Sequence, residues 1–331
     1  MSDKTKQGVT TPDEKMVPAK RKRRVAIAGC LLGIGAGFVG LAFSRLGQLW
    51  IAFDVFSHFT LHYLIFIFSF TVGLFMPRAK NFVAFVLVIV LTGSLSFWPY
   101  YASVHVATAR APSENERVLK VASFNTWFFN KNPDLIVAEI KRLDADVVTL
   151  IEMSSRTQAA LVTLKEKYPF QENCSNTDDC DIAIISKSPL NNMQYKSRWV
   201  GPEYLRASLG ADFGSVTIFS VHTTRFPHPR AQFNQIQAMA AEVLQTAGEH
   251  IVMGDFNATP FSRVTQTFAT EANLIRLTDL PTWPARLGLP QVAIDHIFVS
   301  ENIHALSGES IGNNAGSDHF PITISLAVPV K

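Results

Sequence analysis

Long apolar stretches occupy the first third of the chain. Val25–Phe43 is a run of 19 residues without a charge, about the length that crosses the hydrocarbon core of a bilayer. Two further apolar stretches lie within Leu49–Met76 and within Phe82–Tyr100. A cleaved signal peptide has a shorter apolar stretch, so we interpret the first one as a retained helix. The pattern predicts a membrane domain of residues 25–106 with three transmembrane helices; two spans plus one buried helix are the alternative.

The pattern changes after a short polar linker at residues 107–117. Short apolar runs then alternate with amphipathic stretches, of which Pro133–Leu143 and Arg230–Thr246 have the period of a helix. Many strands with few helices favour one layered α+β domain over residues 118–331. Strands are predicted at Val118–Asn125, Val147–Glu152, Ile182–Ser186, Ala207–Phe213, Val216–His222, His250–Phe256, Ala293–Ser300 and Ile322–Val328.

Lysine and arginine residues beside the apolar stretches predict the orientation in a membrane. The tail of residues 1–24 ends in five basic residues, and Arg78 and Lys80 lie between the second and third stretches, whereas only Arg45 lies in the other loop. We therefore expect a multi-pass protein of a bacterial inner membrane with a basic cytoplasmic tail. With three spans, residues 118–331 would lie in the periplasm. With two spans, they would lie in the cytoplasm.

The charge is divided unequally between the two halves of the chain. Of the 331 residues, 47% are hydrophobic and 17% are charged. Residues 1–110 contain 12 Lys and Arg against 4 Asp and Glu, and residues 111–331 contain 18 against 23, so the net charges are +8 and −5. A domain that binds nucleic acid has its basic residues on its own surface. The negative C-terminal half therefore does not favour nucleic acid as a partner.

Two cysteines bracket a short polar segment in the C-terminal half. Cys174 and Cys180 are the ends of CSNTDDC. A disulfide between them would persist in an oxidising compartment, and two free thiols in a cytosolic loop are the alternative. The third cysteine, Cys30, lies in the first apolar stretch, where we expect it to pack.

A polar stripe interrupts the second apolar stretch. Asp54, His58 and His62 recur every four residues and would share one face of a helix. The nearby Trp50 indicates the headgroup region, so we interpret the stripe as an interfacial polar face. Ionisable residues within a membrane are otherwise candidates for function.

Polar side chains also stand where the predicted strands begin or end. Any one of them is typical of a turn or cap, but residues at neighbouring strand ends can meet at one rim. Carboxylate and amide oxygens suit Mg²⁺, with Mn²⁺ as a substitute, and the sequence has no HExxH or CxxC pattern for zinc. The residues concerned are Asn125, Glu152, His222, Asp255, Asn257, Asp295, Asp318 and His319.

Five fragments occur in a characteristic order: SFNTW, LIEM, GDFNATP, IDHIFVS and GSDHFPI. Together they resemble the endonuclease/exonuclease/phosphatase family over about residues 118–328, and GDFN and SDHFPI are the most specific parts. The resemblance implies a DNase I-like four-layer α/β/β/α sandwich and metal-dependent chemistry on phosphate esters. A membrane region ahead of such a domain is similar to bacterial membrane-anchored members of the family.

The resemblance also implies metal ligands and a residue that acts on water. Glu152 matches the main metal ligand, assisted by Asn125, and Asp318 resembles a further carboxylate on the metal side. Asp255 matches the residue that orients or deprotonates the attacking water. In-line displacement at phosphorus needs these functions in any protein, because a metal and a base both lower its barrier.

Further residues match positions that hold the phosphate. Asn257 matches an amide on the phosphate, and His222 a second histidine there. His319 matches the histidine that stabilises or protonates the phosphate, with Asp295 as the partner that keeps the imidazole oriented and charged. Arg206 lies where a strand could direct its guanidinium at the same phosphate; a surface ion pair is the alternative.

The sequence departs from the family pattern at two points. Trp127 stands where many members have an acidic or amide residue, so we expect one metal rather than two. The tyrosine that some nucleases of the family direct at the phosphate has no clear counterpart, and Tyr195 and Tyr204 are candidates only by location. Arg225 and His228 lie on a Pro-rich loop after His222, where they either line the cleft or face solvent.

These observations predict a membrane-anchored, divalent-metal-dependent hydrolase of phosphodiesters or phosphomonoesters that uses activated water. The anchor indicates a lipid or envelope phosphoester as substrate. A metal-dependent endo- or exonuclease and a non-catalytic binding module on the same fold are the alternatives. Every position expected to act on phosphate carries a competent residue, which favours an enzyme.

Overall fold

The chain divides into two compact units. One, the helical unit, comprises Met1–Ala42 and Thr60–Ser96, and the other, the sheet unit, comprises Phe43–Phe59 and Phe97–Lys331. The computed structural model describes residues 12–74, 83–89, 91, 111–174, 180–198, 201–214, 216–288 and 292–330.

Closely packed helices form the helical unit. They are α1 (Pro12–Leu46), whose last turn belongs to the sheet unit, α2 (Thr60–Gly73) and α3 (residues 83–89). A Cβ atom at Gly37 would lie 2.4 Å from the side chain of Ile67, and one at Gly40 would lie 2.5 Å from the ring of Tyr63. Glycine is therefore required where α1 meets α2, as is usual for helices that associate in lipid.

Among the residues that the structure describes, two helical stretches are long and apolar enough to cross a membrane. They are Arg24–Leu46 and Ile51–Gly73, with mean hydropathies of 2.2 and 1.6. The predicted third span is helical at residues 83–89 and 91, and the rest of it lies outside the described residues. Residues 1–11 of the predicted tail and 107–110 of the predicted linker also lie outside them.

Two β-sheets form the centre of the sheet unit. The first has the strand order β11-β13-β1-β2-β4-β3, with β12 also paired to β13, and the second has the order β5-β6-β7-β8-β10-β9. The first sheet contains β1 (Glu116–Asn125), β2 (Val147–Ile151), β3 (Phe170–Asn173), β4 (Ala183–Ser186), β11 (His304–Ala305), β12 (Ser310–Ile311) and β13 (Ile322–Pro329). The second contains β5 (Leu190–Lys196), β6 (Glu203–Leu209), β7 (Thr217–His222), β8 (His250–Asp255), β9 (Ile275–Arg276) and β10 (Asp295–Val299).

Helices cover the outer face of each sheet. On the first sheet, α4 (Pro133–Leu143) and α5 (Ser155–Ala160) enclose a core that contains Phe124 and Leu150. On the second, α6 (Pro229–Gln245) and α7 (Arg263–Glu271) cover a core that includes Phe219 and Phe298. A third core, between the sheets, contains Val121, Ile184, Ile218 and Ile251. The predicted α/β/β/α sandwich is confirmed.

Most of the predicted strands and helices have bounds within two residues of the prediction. Pro133–Leu143 is helical as predicted. The strand predicted at Ala207–Phe213 lies earlier, at Glu203–Leu209, because Ala211–Phe213 forms a 3₁₀ turn. The pattern did not predict the two-residue strands, which are too short to show a period. It also did not predict the longer elements β3, β5, α5 and α7.

The segment between the two apolar stretches packs on the sheet unit. Its 3₁₀ helix, Ile51–Phe59, lies beside α6 and α7, and Ile51 packs against their core. Asp54, Ser57 and His58 are buried there. Asp54 and His58 therefore do not form the interfacial polar face predicted for the second apolar stretch, because each has a partner more than 200 residues away.

Asp54 caps a helix of the sheet unit. Its Oδ1 accepts the Arg263 backbone N–H at 2.8 Å, and its Oδ2 accepts the Ser262 hydroxyl at 2.5 Å. Ser262 is itself the N-cap of α7 and accepts the Val264 N–H. A carboxylate at a helix N-terminus is stabilised by the helix dipole and by the unpaired N–H groups there. Asp54 thus ties the 43–59 segment to α7.

We expect Asp54→Ala to destabilise the sheet unit, because it leaves a buried hydroxyl and a buried N–H without their acceptor. The free energy of unfolding should fall by about 1–3 kcal/mol, which lowers the melting temperature of a unit of this size by roughly 2–10 °C. Thermal unfolding of the full chain in detergent, followed by near-UV circular dichroism, measures the change.

Asp134→Ala is the matched control, since Asp134 is an exposed acid in the first turn of α4. Its loss should change the free energy by less than about 1 kcal/mol. Equal melting temperatures for the Asp54 and Asp134 variants would contradict the capping role.

Candidate active site

Four ionisable side chains lie in a row across neighbouring strands of the second sheet. Glu203 at the start of β6 pairs with His222 at the end of β7, His222 pairs with Asp255 at the end of β8, and Asp255 pairs with Asp295 at the start of β10. Paired residues on adjacent strands are about 5 Å apart. The register of the sheet alone therefore brings these four residues together.

Gly254 allows β7 and β8 to approach closely at this row. Its φ is +152°, and a Cβ atom there would lie 2.0 Å from the Val221 carbonyl oxygen. No other residue fits such an approach. The glycine of GDFN thus has a structural role, which is to place Asp255 beside His222.

The first sheet contributes Asn125 and Glu152, which lie at the ends of the neighbouring strands β1 and β2. Asn125 ends β1 opposite Ile151 of β2, and Glu152 comes directly after. The Asn125 amide nitrogen donates to Glu152 Oε1 at 3.1 Å and to Asp255 Oδ2 at 2.9 Å. One amide thereby joins the carboxylates of the two sheets. Its oxygen accepts the Trp127 N–H at 3.0 Å, and a metal-ligand role for that oxygen stays a prediction.

Left-handed backbone occurs at the rim. Trp127, Glu152 and Asn257 have φ values of 59°, 53° and 47°. Each such conformation costs a residue with a side chain about 1–2 kcal/mol. These three residues follow Asn125, Ile151 and Asp255 closely in the chain, so the unfavourable conformations turn the backbone just beyond the strand ends.

His319 reaches the row from the loop before β13. Its Nδ1 lies 2.8 Å from Asp295 Oδ2 and its Nε2 lies 3.8 Å from Asp255 Oδ2. The Ser317 hydroxyl fixes this loop, because it donates to the Asn125 carbonyl at 2.7 Å and accepts the His319 N–H. The predicted pairing of His319 with Asp295 is thus present in the structure.

The acidic surroundings keep both histidines charged. Burial alone would lower the pKa of His222, but the bond to Glu203 and the charges of Glu152 and Asp255 raise it to about 10. Burial opposes the charge of His319 in the same way, and Asp295 and Asp255 raise its pKa to about 9. At neutral pH the site therefore contains two cationic N–H donors.

The two carboxylates nearest these histidines differ in pKa. Burial raises the pKa of Asp255 to about 6, against the opposing charge of His319. Burial also opposes ionisation of Glu152, but the charge of His222 and the amide of Asn125 hold its pKa below the usual value. Both are ionised at neutral pH, and Asp255 is the stronger base.

Glu152, His222 and Asp255 have ligand atoms within 4.8 Å of one another, close enough for a shared metal ion. The side chain of Glu152 is 27% exposed, whereas that of Asp255 is 1% exposed, so Glu152 is the carboxylate that faces the cleft. The oxygens of Glu152 are therefore the candidate metal donors, and Asp255 adds a second carboxylate within 4.8 Å. Such a donor set fits a hard divalent cation.

A cleft of about 770 Å³ opens above these residues. Glu152, His222 and Asn257 lie in its wall, and Arg225 and His228, which are exposed to solvent, line it too. Asn257 donates its side-chain N–H to the Thr223 carbonyl at 3.1 Å. Its predicted contact with phosphate stays a prediction.

Arg206 does not reach the cleft, so its predicted contact with the phosphate is not supported. Its guanidinium bonds to Thr246 and Gln194 and lies 3.6 Å from Glu242. Successive residues of a strand point to opposite faces. Glu203 lies on the face of β6 that carries the site. Arg206, three residues later, lies on the opposite, outer face beneath α6.

Asp318 stands apart from the metal-binding groups found among the described residues. Its backbone oxygen accepts the Ala285 N–H, and its charge contributes to the raised pKa of His319. A ligand role for its side chain stays a prediction.

Trp127 stands where many family members have an acidic or amide residue, and its ring lies 4.0 Å from the Arg286 guanidinium.

The tyrosine candidates lie away from the row. Tyr204 is buried in the core beneath α6, where burial and Glu242 raise its pKa, and Tyr195 is exposed on the edge strand β5.

Glu203 is the residue that the sequence analysis missed. Its carboxylate lies 3.6 Å from His222 Nδ1 and accepts the Asp181 N–H at 2.9 Å. Arg198 lies 3.5 Å from it and also bonds to Asp181. A glutamate at a strand start has no local signal of this role, because only pairing with the next strand reveals it.

The sequence left open whether Cys174 and Cys180 form a disulfide. In the structure they are bonded, beside Asp181.

We expect Glu203→Gln to lower turnover, because His222 loses the carboxylate that orients and charges it. Loss of such a supporting partner typically reduces activity by about 10–100-fold. Initial rates with a soluble chromogenic phosphodiester measure it. Glu242→Gln is the control, because Glu242 bonds to Lys196 on the outer face. Equal rates for the two variants would contradict the role of Glu203.

Several solved structures have this fold. An endonuclease/exonuclease/phosphatase from Beutenbergia cavernae DSM 12333 is 16% identical and has a TM-score of 0.53, over 64% of this chain and 72% of that one. A family protein from Bacteroides thetaiotaomicron is 15% identical and has a TM-score of 0.54, over 66% and 98%. A mannosyl-6-phosphatase from Bacteroides thetaiotaomicron is 17% identical and has a TM-score of 0.51, over 63% and 99%.

At this level of identity the structures show a shared fold only. No curated protein matched the sequence. The profile of the Endonuclease/Exonuclease/phosphatase family matches residues 122–319, which is more than half of the chain and includes the whole row and both strand ends of the first sheet. The chain therefore belongs to the Endonuclease/Exonuclease/phosphatase family.

Proposed function

We propose that this protein is a membrane-anchored, Mg²⁺-dependent hydrolase of phosphate esters, with Mn²⁺ as a substitute metal. The observation that carries the proposal is the convergence of Glu152, His222, Asp255 and His319 at one rim: ligand atoms of the first three lie within 4.8 Å of one another, and His319 Nε2 lies 3.8 Å from Asp255 Oδ2. Enzymes of its family hydrolyse phosphate esters and depend on divalent metals. When bound at Glu152, the metal would neutralise charge on the phosphate oxygens.

Asp255 is the base in this proposal. Burial leaves its pKa near 6, so it is ionised at neutral pH yet basic enough to take a proton from water. Asn125 and the Asn257 backbone N–H each donate to it, which fixes its orientation. A water that attacks the phosphorus atom would give its proton to this carboxylate.

The two cationic histidines bind the phosphate oxygens. His319 is held by Asp295, and His222 by Glu203, so each presents an Nε2–H towards the space beside Asp255. Donors fixed in place before reaction stabilise the charge that develops on the oxygens in the transition state. In this proposal His319 also protonates the leaving oxygen.

A phosphodiester of a lipid or of another envelope component is the proposed substrate. The cleft of about 770 Å³ is larger than a phosphate group needs, and Arg225 and His228 add basic groups to its wall. The similarity of fold to a mannosyl-6-phosphatase makes a phosphomonoester the second candidate. The net charge of −5 on residues 111–331 disfavours a duplex nucleic acid.

Contacts of the 43–59 segment support three spans. Because this segment packs with residues 226–263 in one unit, both lie on the same side of any membrane that the chain crosses. The number of crossings between Phe59 and Ala111 must then be even. This supports α2 and the stretch within residues 82–100 as the second and third spans. A cytoplasmic tail then places the sheet unit in the periplasm, where the disulfide Cys174–Cys180 is favoured.

Metal removal and His319→Ala test the activity. We expect the full chain in detergent to hydrolyse bis(4-nitrophenyl) phosphate with Mg²⁺ and to lose turnover with EDTA. His319→Ala should lower kcat by about 10²–10⁴-fold, as loss of an acid catalyst does. His304→Ala, at an exposed position on β11, should keep the wild-type rate.

The same assay with 4-nitrophenyl phosphate, phospholipid vesicles and plasmid DNA separates the substrate classes. Faster vesicle turnover supports the lipid diester, faster monoester turnover supports a phosphatase, and plasmid nicking supports a nuclease. Hydrolysis that survives both EDTA and His319→Ala would contradict the proposal.

Cysteine labelling tests the orientation. In a Cys30→Ala background, Glu301→Cys lies at an exposed position of the sheet unit, and Ser2→Cys lies in the basic tail. A membrane-impermeant maleimide added to intact bacteria with a permeable outer membrane should label Glu301→Cys, and Ser2→Cys only after lysis. The reverse pattern would contradict a periplasmic sheet unit.

A further inference from the structure

The segment between the two apolar stretches contains a buried histidine that the proposed mechanism does not use. His58 lies in the 3₁₀ helix Ile51–Phe59 and is 3% exposed. Its contacts are with loops of the sheet unit, although His58 precedes every family motif in the sequence. The partners of His58 therefore define what it could do.

One partner is the loop that follows β8. His58 Nδ1 accepts the Thr259 backbone N–H at 3.2 Å, and the Thr259 hydroxyl lies 3.5 Å from the same nitrogen. Thr259 is two residues after Asn257, which lines the cleft. The imidazole thus satisfies a buried backbone donor directly beside the GDFN motif.

The other partner is the loop that follows β7. The imidazole stacks on Phe226, with ring centroids 5.0 Å apart and an interplanar angle of 29°. The ring of Phe59 meets Phe226 edge-on at 6.1 Å, and Trp283 meets it at 6.4 Å. Phe226 lies between Arg225 and His228, which line the cleft.

The two ends of this loop are fixed in different ways. Its start is held by the sheet unit, because Thr223 bonds to Asp255 and Phe256 through its N–H and hydroxyl, and the Thr224 N–H donates to Gln235. Its middle is held by ring contacts on Phe226, two of which come from the 43–59 segment. Loss of those contacts would free Arg225 and His228 while His222 kept its place.

We propose that His58 is a positioning residue, which holds the 223–228 loop and the 257–259 loop in the geometry that binds substrate. It touches neither the reacting atoms nor the metal-binding group. Its effect is expected on substrate affinity rather than on chemistry, because the residues proposed to act on water and phosphate are fixed by the sheet register. The kinetic part rests on the proposed function; the structural part does not.

Three variants of the full chain in detergent separate the two contacts of His58. His58→Ala removes both, His58→Phe keeps a ring against Phe226, and His58→Asn keeps an acceptor near the position of Nδ1. We expect His58→Ala to raise KM for a soluble phosphodiester by about tenfold with kcat within about threefold, since misplaced binding groups weaken binding. The other two variants should each recover part of the loss. His304→Ala, His304→Phe and His304→Asn are the matched exposed controls.

A merely structural role would give a different result. Partial unfolding lowers the active fraction, which reduces kcat and leaves KM unchanged. Phe226→Ala should raise KM as His58→Ala does, and the double variant should add little, because residues that share one contact are not additive. A KM unchanged in His58→Ala, or full additivity with Phe226→Ala, would overturn the proposal.

Hydrogen–deuterium exchange provides a readout without substrate. Amides of residues 223–232 should exchange at least about tenfold faster in His58→Ala than in the wild type, and amides of α4 should be unchanged. Unchanged exchange at 223–232 would overturn the positioning role whether or not the protein hydrolyses phosphate. Absence of any metal-dependent turnover in the wild type, with faster exchange in the variant, would instead contradict the proposed function alone.

Discussion

The register between β7, β8 and β10 places buried acids next to one another, and the rest of the site follows from the need to balance their charge. Asp255 and Asp295 are paired across two strands and are each 1% exposed. Two carboxylates this close repel each other unless cations lie between or beside them. His319 contacts both, and His222 lies between Asp255 and Glu203. The two histidines therefore compensate the charge of the buried acids, and the acids in turn keep the histidines protonated.

Among the described residues, the side chains at the rim still carry more negative than positive charge. The carboxylates of Glu152, Asp181, Glu203, Asp255 and Asp295 face the cations of His222, His319 and Arg198. Buried charge without compensation is unfavourable by several kcal/mol. A divalent cation at Glu152 would offset the excess, and the anionic substrate would then meet a site that is close to neutral. The same excess explains why both histidines keep their protons at neutral pH.

The sequence predicted the parts of this site that are set locally. Asn125, Glu152, His222 and Asp255 end apolar runs, and parallel strands bring such ends to one rim. Glu203 and Arg206 show the limit of that reasoning. Both belong to β6, and the period of two gives them opposite faces, but which face meets the cleft depends on where the strand begins. That start was predicted at Ala207 and lies at Glu203, so Arg206 was one of the candidates for the phosphate and Glu203 was not.

The burial of Asp54 and His58 in the segment before α2 could not be predicted for a related reason. Ile51–Phe59 is apolar enough to extend a candidate span to 23 residues. Its polar residues have partners more than 200 positions later, in a loop and at a helix N-terminus. A window along the chain contains no information about such partners. Without this segment, Thr60–Met76 still has 17 residues, which is at the lower limit for crossing a bilayer.

Under the proposed topology, the sheet unit is built from two pieces of chain that reach the same side of the membrane at different times. Phe43–Phe59 arrives after the first span, and residues 111–330 arrive only after the third. The cap on α7 and the contacts of His58 can form only when both pieces are present. Contacts between residues so far apart in sequence form late, because closing the intervening chain is entropically costly. The cleft loops would then reach their final geometry only in molecules whose helices are inserted, which couples the proposed activity to correct assembly in the membrane.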